Sequence, residues 1–111
     1  IEGLATPQAI DQIECYEAAV LFARTEGIIP APETSHAIAA AIQEAKKAKE
    51  EGKEKVILFG FSGHGLMDLS GYDKFFQGKL TNYALPESEM GSAIRELNGL
   101  PRPKVVRTGR W

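Results

Sequence analysis

Two loop-borne groups of this chain could do chemistry: a serine set among glycines and a glutamate that follows a pair of prolines. Ser62 comes directly after an apolar run, with Gly60 before it and Gly63 after it. Glu33 follows a Pro-Ala-Pro sequence and opens a helical pattern. Packed α/β scaffolds keep binding and catalytic groups in such loops. The hydroxyl and the carboxylate are therefore candidates for contact with a ligand.

Three interpretations of Ser62 remain open on the residues alone. A nucleophile elbow requires glycine two residues on either side of the serine, and His64 occupies the downstream place, so the motif fails by one residue. The serine could instead cap the following turn. In the third interpretation its hydroxyl meets a ligand ring or phosphate, and the neighbouring glycines let the backbone approach closely.

Glu33 also has two interpretations. As a first-turn carboxylate it is favoured by the helix dipole, and as a functional group it is an acid–base or electrostatic residue on a rigid loop. A metal site is not predicted, because the spacing of the possible ligands matches no zinc pattern. Those residues are Cys15, His36, His64 and Asp68.

The composition limits the classes of function. The chain has 111 residues, of which 43% are hydrophobic and 25% charged, with a net charge of −2. These values predict an ordinary globular domain without the basic patch of a nucleic-acid or membrane-surface protein. The single cysteine, Cys15, cannot form an internal disulfide, which favours a reducing, cytoplasmic location, and it is interpreted as a small buried hydrophobe.

Hydrophobic periodicity and capping signals predict four helices, over about residues 8–26, 33 or 35–51, 67–76 and 87–97. Thr6 and Pro7 form the expected opening of the first helix, and Gly27 its end. Pro30 and Pro32 predict an extended segment over residues 28–32. The tail, residues 101–111, is predicted to be extended or mobile.

One strand is predicted, over residues 56–61, where apolar residues follow one another without alternation. That pattern is typical of a parallel strand buried on both faces. Such a strand needs neighbours to pair its backbone groups, and no other segment offers a second convincing strand. We therefore expect either an oligomer formed through this strand or a piece of a longer α/β protein. The isoleucine at position 1 is a further hint of a piece.

Several long stretches of the sequence resemble the tryptophan synthase beta family. They are Glu14-Cys-Tyr-Glu-Ala-Ala-Val-Leu-Phe-Ala-Arg24, Glu26-Gly-Ile-Ile-Pro-Ala-Pro-Glu-Thr-Ser-His36 and Phe61-Ser-Gly-His-Gly65, in family order. The likeness covers roughly residues 7–80. Pro32 and His64, where the more familiar branch has arginine at the latter position, resemble the second-type beta chain.

The resemblance implies an α/β fold, namely part of a pyridoxal-phosphate enzyme of fold type II, mainly helices around one buried parallel-type strand. It implies β-replacement, in which indole and L-serine give L-tryptophan. Ser62, with Gly63, would contact the cofactor ring, and Glu33 would be the catalytic carboxylate beside it. A hydroxyl does not stabilise a protonated pyridine as a carboxylate does, which suits elimination at the β-carbon.

The resemblance also implies what these residues lack. The family's Schiff-base lysine and phosphate-binding loop lie upstream of the matched region, so the isolated segment is expected to be inactive. Residues 1–85 would be the C-terminal part of the catalytic domain and 86–111 a C-terminal helix and tail. The complete enzyme would be a homodimer, and an alpha subunit is a further possible partner. The alternatives are a noncatalytic binding or oligomerisation module and a serine hydrolase with a degenerate elbow.

Overall fold

The computed structural model describes residues 5–97 and 99–101, and every regular element in that part of the chain is a helix. The four helices are α1 (Gln12–Glu26), α2 (Pro32–Glu50), α3 (Leu69–Phe76) and α4 (Glu87–Leu97). Their number and order confirm the pattern predicted from the sequence. None of these four helices is long and apolar enough to cross a membrane.

The first helix begins later than predicted. Thr6 and Pro7 lie outside it, and Asp11, in an extended conformation, is the residue before its first turn. The amide of Cys15 donates to the carbonyl of Asp11 at 3.0 Å, which closes that turn. The predicted end is confirmed, because Gly27 has a φ of 71° and its N–H donates to the carbonyl of Ala23. Glycine adopts this left-handed conformation without steric cost.

The second helix begins at Pro32, so the predicted extended segment ends one residue too late. Proline suits this position because the first helical N–H has no partner within the helix, and its φ is already helical. Ala31 before it is extended. The third helix begins at Leu69, two residues after the predicted start, and the fourth has the predicted bounds.

The core forms where α1 packs against α2 and α3. On one side Tyr16 meets Tyr72 edge to face, with ring centroids 5.1 Å apart, and stacks on Phe75 at 5.5 Å. On the other side a second cluster joins α1 to α2, formed by Ala18, Ile38 and Ala39 with Phe22 and Phe59. Small residues let the two helix backbones approach, and Cys15 is buried beside them as predicted.

The predicted buried strand over residues 56–61 is wrong for this part of the chain. These residues have extended or irregular backbone, and the described residues contain no strand beside them. Val56 is 100% exposed and Leu58 96% exposed, whereas Phe59 is half-buried and packs against Phe22, so part of the apolar run lies on the surface. The reason is physical: a strand is stabilised by ladder partners, and residues 56–61 have none among the described residues.

The rest of the chain adds little to the core. Helix α4 has no buried residue. The end signal at Asn98 and nearly all of the predicted extended tail, from residue 102 onward, fall outside the described residues.

Candidate functional site

The proline turn and the glycine loop, predicted as separate features, are paired with each other. Pro30 and His64 form an isolated antiparallel bridge. Proline has no N–H, so the hydrogen bonds come from its neighbours: Ala31 N–H donates to the carbonyl of Gly63 at 2.9 Å, and Gly65 N–H donates to that of Ile29 at 2.8 Å. The loop that carries Ser62 is therefore fixed against the start of α2.

A buried threonine connects Ser62 to that helix. The Oγ of Ser62 lies 2.9 Å from the Oγ1 of Thr34, and the Thr34 Oγ1 also lies 3.1 Å from the carbonyl oxygen of Gly63, to which its hydroxyl is able to donate. Thr34 is only 2% exposed, whereas Ser62 is an exposed residue. The hydroxyl of this exposed serine is thus connected to a buried hydroxyl of α2.

The glycines of the loop have different roles. A Cβ on Gly65 would lie 2.3 Å from the carbonyl oxygen of Pro30, so only glycine permits this approach of the two backbones. A Cβ on Gly63 would make an ordinary contact, 3.7 Å from the Cβ of Ala31. At Gly60 a Cβ would meet no heavy atom of the described chain within 4 Å. The loop is therefore closely packed at Gly65 and open at Gly60.

Glu33 lies in the first turn of α2, next to Thr34, and is exposed. It lines an open cleft of about 440 Å³ together with Cys15, His36 and Tyr83. Ser62 does not line this cleft. The structure brings Thr34, and not Glu33, into contact with Ser62.

Thr34 is the residue that sequence reasoning missed. It directly follows Glu33, in a stretch that resembles the family. The 28-residue separation from Ser62 gives no local signal of contact. What distinguishes Thr34 from other threonines is its burial near the start of a helix, and burial cannot be read from a single sequence.

Cys15 and His36 form a polar pair at the cleft. Burial, and secondarily the negative charges of Glu14 and Asp11, raise the pKa of the Cys15 thiol to about 11. The thiol is therefore protonated at neutral pH, and its sulfur lies 3.1 Å from the Nδ1 of His36, within hydrogen-bonding distance. A protonated thiol is a poor nucleophile and a poor metal ligand. Within the described residues, no group of three or more candidate ligands is placed to hold a metal ion.

The geometry does not support a serine hydrolase. The side-chain partner of Ser62 is the hydroxyl of Thr34, which is not a general base. The nearby His64 accepts, through Nδ1, from the amide of Leu66 at 3.4 Å. The lysines that the structure describes are all exposed, so none has the desolvated setting that prepares an amine for Schiff-base chemistry.

No protein-family model matches the chain. It is 63% identical over 81 residues to a tryptophan synthase beta chain of Thermococcus onnurineus, a match that covers 73% of this chain and 18% of that one. With the beta chain of Pyrococcus horikoshii the identity is 50% over 98 residues, covering 88% and 21%. With tryptophan synthase beta chain 2 of Thermotoga maritima it is 69% over 71 residues, covering 64% and 17%.

The chain therefore spans about a fifth of the length of the curated relatives it matches. Identities of 50% and more over most of this chain are far above those expected by chance. The resemblance seen in the sequence is thereby confirmed, and proteins named tryptophan synthase beta chain 2 are among the relatives. This chain belongs to the tryptophan synthase beta chain family, as a segment from the C-terminal part of such a chain.

Proposed function

We propose that this segment forms the part of a complete tryptophan synthase beta enzyme that contacts the ring of pyridoxal phosphate. The enzyme would make L-tryptophan from indole and L-serine by β-replacement. The observation that carries the proposal is the hydroxyl of Ser62, an exposed residue whose Oγ lies 2.9 Å from the Oγ1 of the buried Thr34. The family membership supplies the chemistry that such a hydroxyl would serve.

The residues of the loop support a contact with the cofactor's ring. Ser62 offers one hydroxyl, able to donate or accept, and the small residues Gly60 and Gly63 leave its neighbourhood accessible. When bound, pyridoxal phosphate supplies an electron sink. A neutral hydroxyl at the ring nitrogen keeps that sink moderate, which favours loss of the β-substituent of serine over transamination.

Glu33 would act from the neighbouring cleft. The helix that begins at Pro32 fixes its backbone, and its exposed carboxylate is able to orient a substrate group or hold a proton there. In the complete enzyme the Glu33 carboxylate would lie close to the cofactor. A carboxylate on a rigid helix start loses little conformational freedom on binding, which suits a positioning role.

The rest of the complete enzyme would supply what this segment does not. The exposed lysines offer no candidate for the Schiff base, and the exposed side chains of Val56 and Leu58 offer a surface for flanking strands. In the proposal the segment alone is inactive, residues 1–85 complete the catalytic domain and 86–111 follow it. The complete enzyme is a cytoplasmic homodimer, with an alpha subunit as a further possible partner.

Replacement of Ser62 in the complete enzyme tests the ring contact. Ser62→Asp places a carboxylate where a hydroxyl stood, and it should alter the absorption spectrum of the cofactor and the partition between products. Ser88→Asp is the matched control, because Ser88 is exposed at the start of α4, where a carboxylate is well tolerated. An unchanged spectrum and product ratio in Ser62→Asp would show that Ser62 does not contact the ring nitrogen.

A second experiment concerns the segment alone. Incubated with pyridoxal phosphate, indole and L-serine, the purified segment should form no tryptophan above the rate of the cofactor alone. The complete enzyme is the positive control. Robust tryptophan formation by the segment would contradict the proposal that the rest of the enzyme is required.

A noncatalytic oligomerisation module is the second candidate, favoured by the exposure of Val56 and Leu58. Two copies could cover this apolar run by pairing their extended segments. The module predicts a tightly self-associated segment in sedimentation experiments, with residues 56–61 protected from hydrogen exchange. A well-folded monomer would exclude it. A fluorophosphonate that fails to label Ser62 would exclude the hydrolase as well.

A further inference from the structure

The three oxygen atoms at Thr34, Ser62 and Gly63 can accept more hydrogen bonds than their two hydroxyl protons can supply. The Oγ1 of Thr34 lies within hydrogen-bonding distance of two other oxygens: it is 2.9 Å from the Oγ of Ser62 and 3.1 Å from the carbonyl oxygen of Gly63. Each hydroxyl has one proton, and the carbonyl has none. The direction in which the Thr34 proton points therefore decides what Ser62 can do.

Two arrangements satisfy this count. In the first, Thr34 donates to Gly63 and Ser62 donates to Thr34, so Ser62 presents only lone pairs to a ligand. In the second, Thr34 donates to Ser62, and the Ser62 proton is free to point outward. The carbonyl of Gly63 stays hydrogen-bonded in both, because it also accepts from the amide of Ala31 at 2.9 Å.

Only the second arrangement suits an unprotonated aromatic nitrogen. Such a nitrogen has a lone pair in the ring plane and no proton, so it needs a donor. The first arrangement would place the lone pairs of Ser62 against that of the nitrogen. Since Gly63 keeps a donor, the change between arrangements leaves no buried polar atom without a partner.

We infer that Thr34 is a positioning residue that makes the Ser62 hydroxyl a hydrogen-bond donor toward the ring nitrogen of the cofactor. The inference rests on the proposed function, in which Ser62 meets that nitrogen. Thr34 acts through Ser62 and does not itself touch the ligand. Its burial at 2% exposure excludes water from competing for its hydroxyl, and its β-branched side chain, on a helix start, has few alternative rotamers.

The test uses nuclear magnetic resonance of the complete enzyme loaded with pyridoxal phosphate that is isotopically labelled at its ring nitrogen. Thr34→Val keeps the shape of the side chain and removes the hydroxyl, so it should move the nitrogen resonance toward that of a nitrogen with a weaker hydrogen bond. Cofactor affinity should fall roughly three- to tenfold, the range of one lost neutral hydrogen bond. Thr34→Ser retains the hydroxyl and should restore both values.

Ser35→Ala is the matched control. Ser35 is a buried hydroxyl on the same helical turn, but it donates to the carbonyl of Ala31. Its removal should leave the ring-nitrogen resonance unchanged, which separates a role in positioning from a general loss of stability. If Thr34→Val does not fold, Thr34→Ala, which also lacks the hydroxyl but adds no new group, replaces it.

Ser62→Ala distinguishes the inference from the proposed function. If it changes the nitrogen resonance and Thr34→Val does not, the contact stands and the role of Thr34 is overturned. If neither variant changes the resonance, the ring contact itself is wrong, and the role of Thr34 falls with it. In the Ser62→Ala background, Thr34→Val should have no further effect on the resonance, because Thr34 acts only through Ser62.

Discussion

The hydroxyl of Tyr72 donates to the carbonyl oxygen of Pro30 at 2.5 Å and so joins helix α3 to the proline turn across 42 residues. Tyr72 is buried, at 6% exposure. Tyr72→Phe should lower the free energy of unfolding of the complete enzyme by about 1–3 kcal/mol, because a buried acceptor loses a donor. Denaturant unfolding of the cofactor-free protein measures the change.

Tyr83→Phe is the matched control for that experiment. Tyr83 loses the same hydroxyl but is 71% exposed, so water replaces any partner and the unfolding midpoint should be unchanged. Equal effects of the two substitutions would show that the hydrogen bond of Tyr72 to Pro30 does not stabilise the fold.

Gly65→Ala should displace the loop that carries Ser62. The added Cβ would lie 2.3 Å from the Pro30 carbonyl oxygen and 3.0 Å from its carbonyl carbon, and neither backbone atom can move alone. We expect a loss of about 2–3 kcal/mol of stability and weaker cofactor binding. Unfolding and cofactor titration of the complete enzyme measure both.

Gly60→Ala provides the comparison, since its Cβ would meet no described atom within 4 Å. That variant should retain stability. If Gly65→Ala proves as harmless as Gly60→Ala, the pairing of the proline turn with the glycine loop is not a rigid part of the site.

The helices were predictable because their signals are local. The spacing of apolar residues, the proline at the start of α2 and Gly27 after α1 all act within a few residues. The exposure of Val56 and Leu58 was not predictable in the same way. An apolar run indicates a segment that favours burial, but burial depends on partners elsewhere, and the described residues cover Phe59 through Phe22 while leaving Val56 and Leu58 exposed.

The site was predictable in its outer residues only. Ser62 stood out because of its glycine neighbours, and Glu33 because of the prolines before it. Their connection through Thr34 depends on the bridge between Pro30 and His64, a nonlocal contact that no spacing reveals. Glycine at position 65 is explained only by the approach of that second backbone.

Cys15 should react slowly with alkylating reagents at neutral pH. Its pKa is raised from 9.0 to about 11, mainly by burial, so at pH 8 its thiolate fraction is roughly a hundredfold below that of an exposed thiol. The alkylation rate of the peptide that contains Cys15, followed by mass spectrometry, should rise until about pH 11. The denatured chain, as control, should reach its plateau about two pH units earlier.

The same shift fixes the sign of a stability effect. Because the folded-state pKa is the higher one, the contribution of the protonated thiol is fully present below pH 9 and is lost as the pH rises through 11. Cys15→Ser should reduce this alkaline loss of stability. A plateau of alkylation near pH 9 in the folded protein would contradict the burial of the thiol.

Leu58 tests whether the apolar run is covered in the complete enzyme. It is 96% exposed in this segment, and the proposed function places flanking strands over it. Leu58→Ser should therefore cost the complete enzyme about 2–4 kcal/mol of stability, through lost burial and a polar group in an apolar setting. Glu54→Ser, four residues earlier at an exposed polar position, is the control and should be neutral. If both variants unfold at the parent midpoint, residues 56–61 remain on the surface of the enzyme, and the missing partner strands must be sought elsewhere.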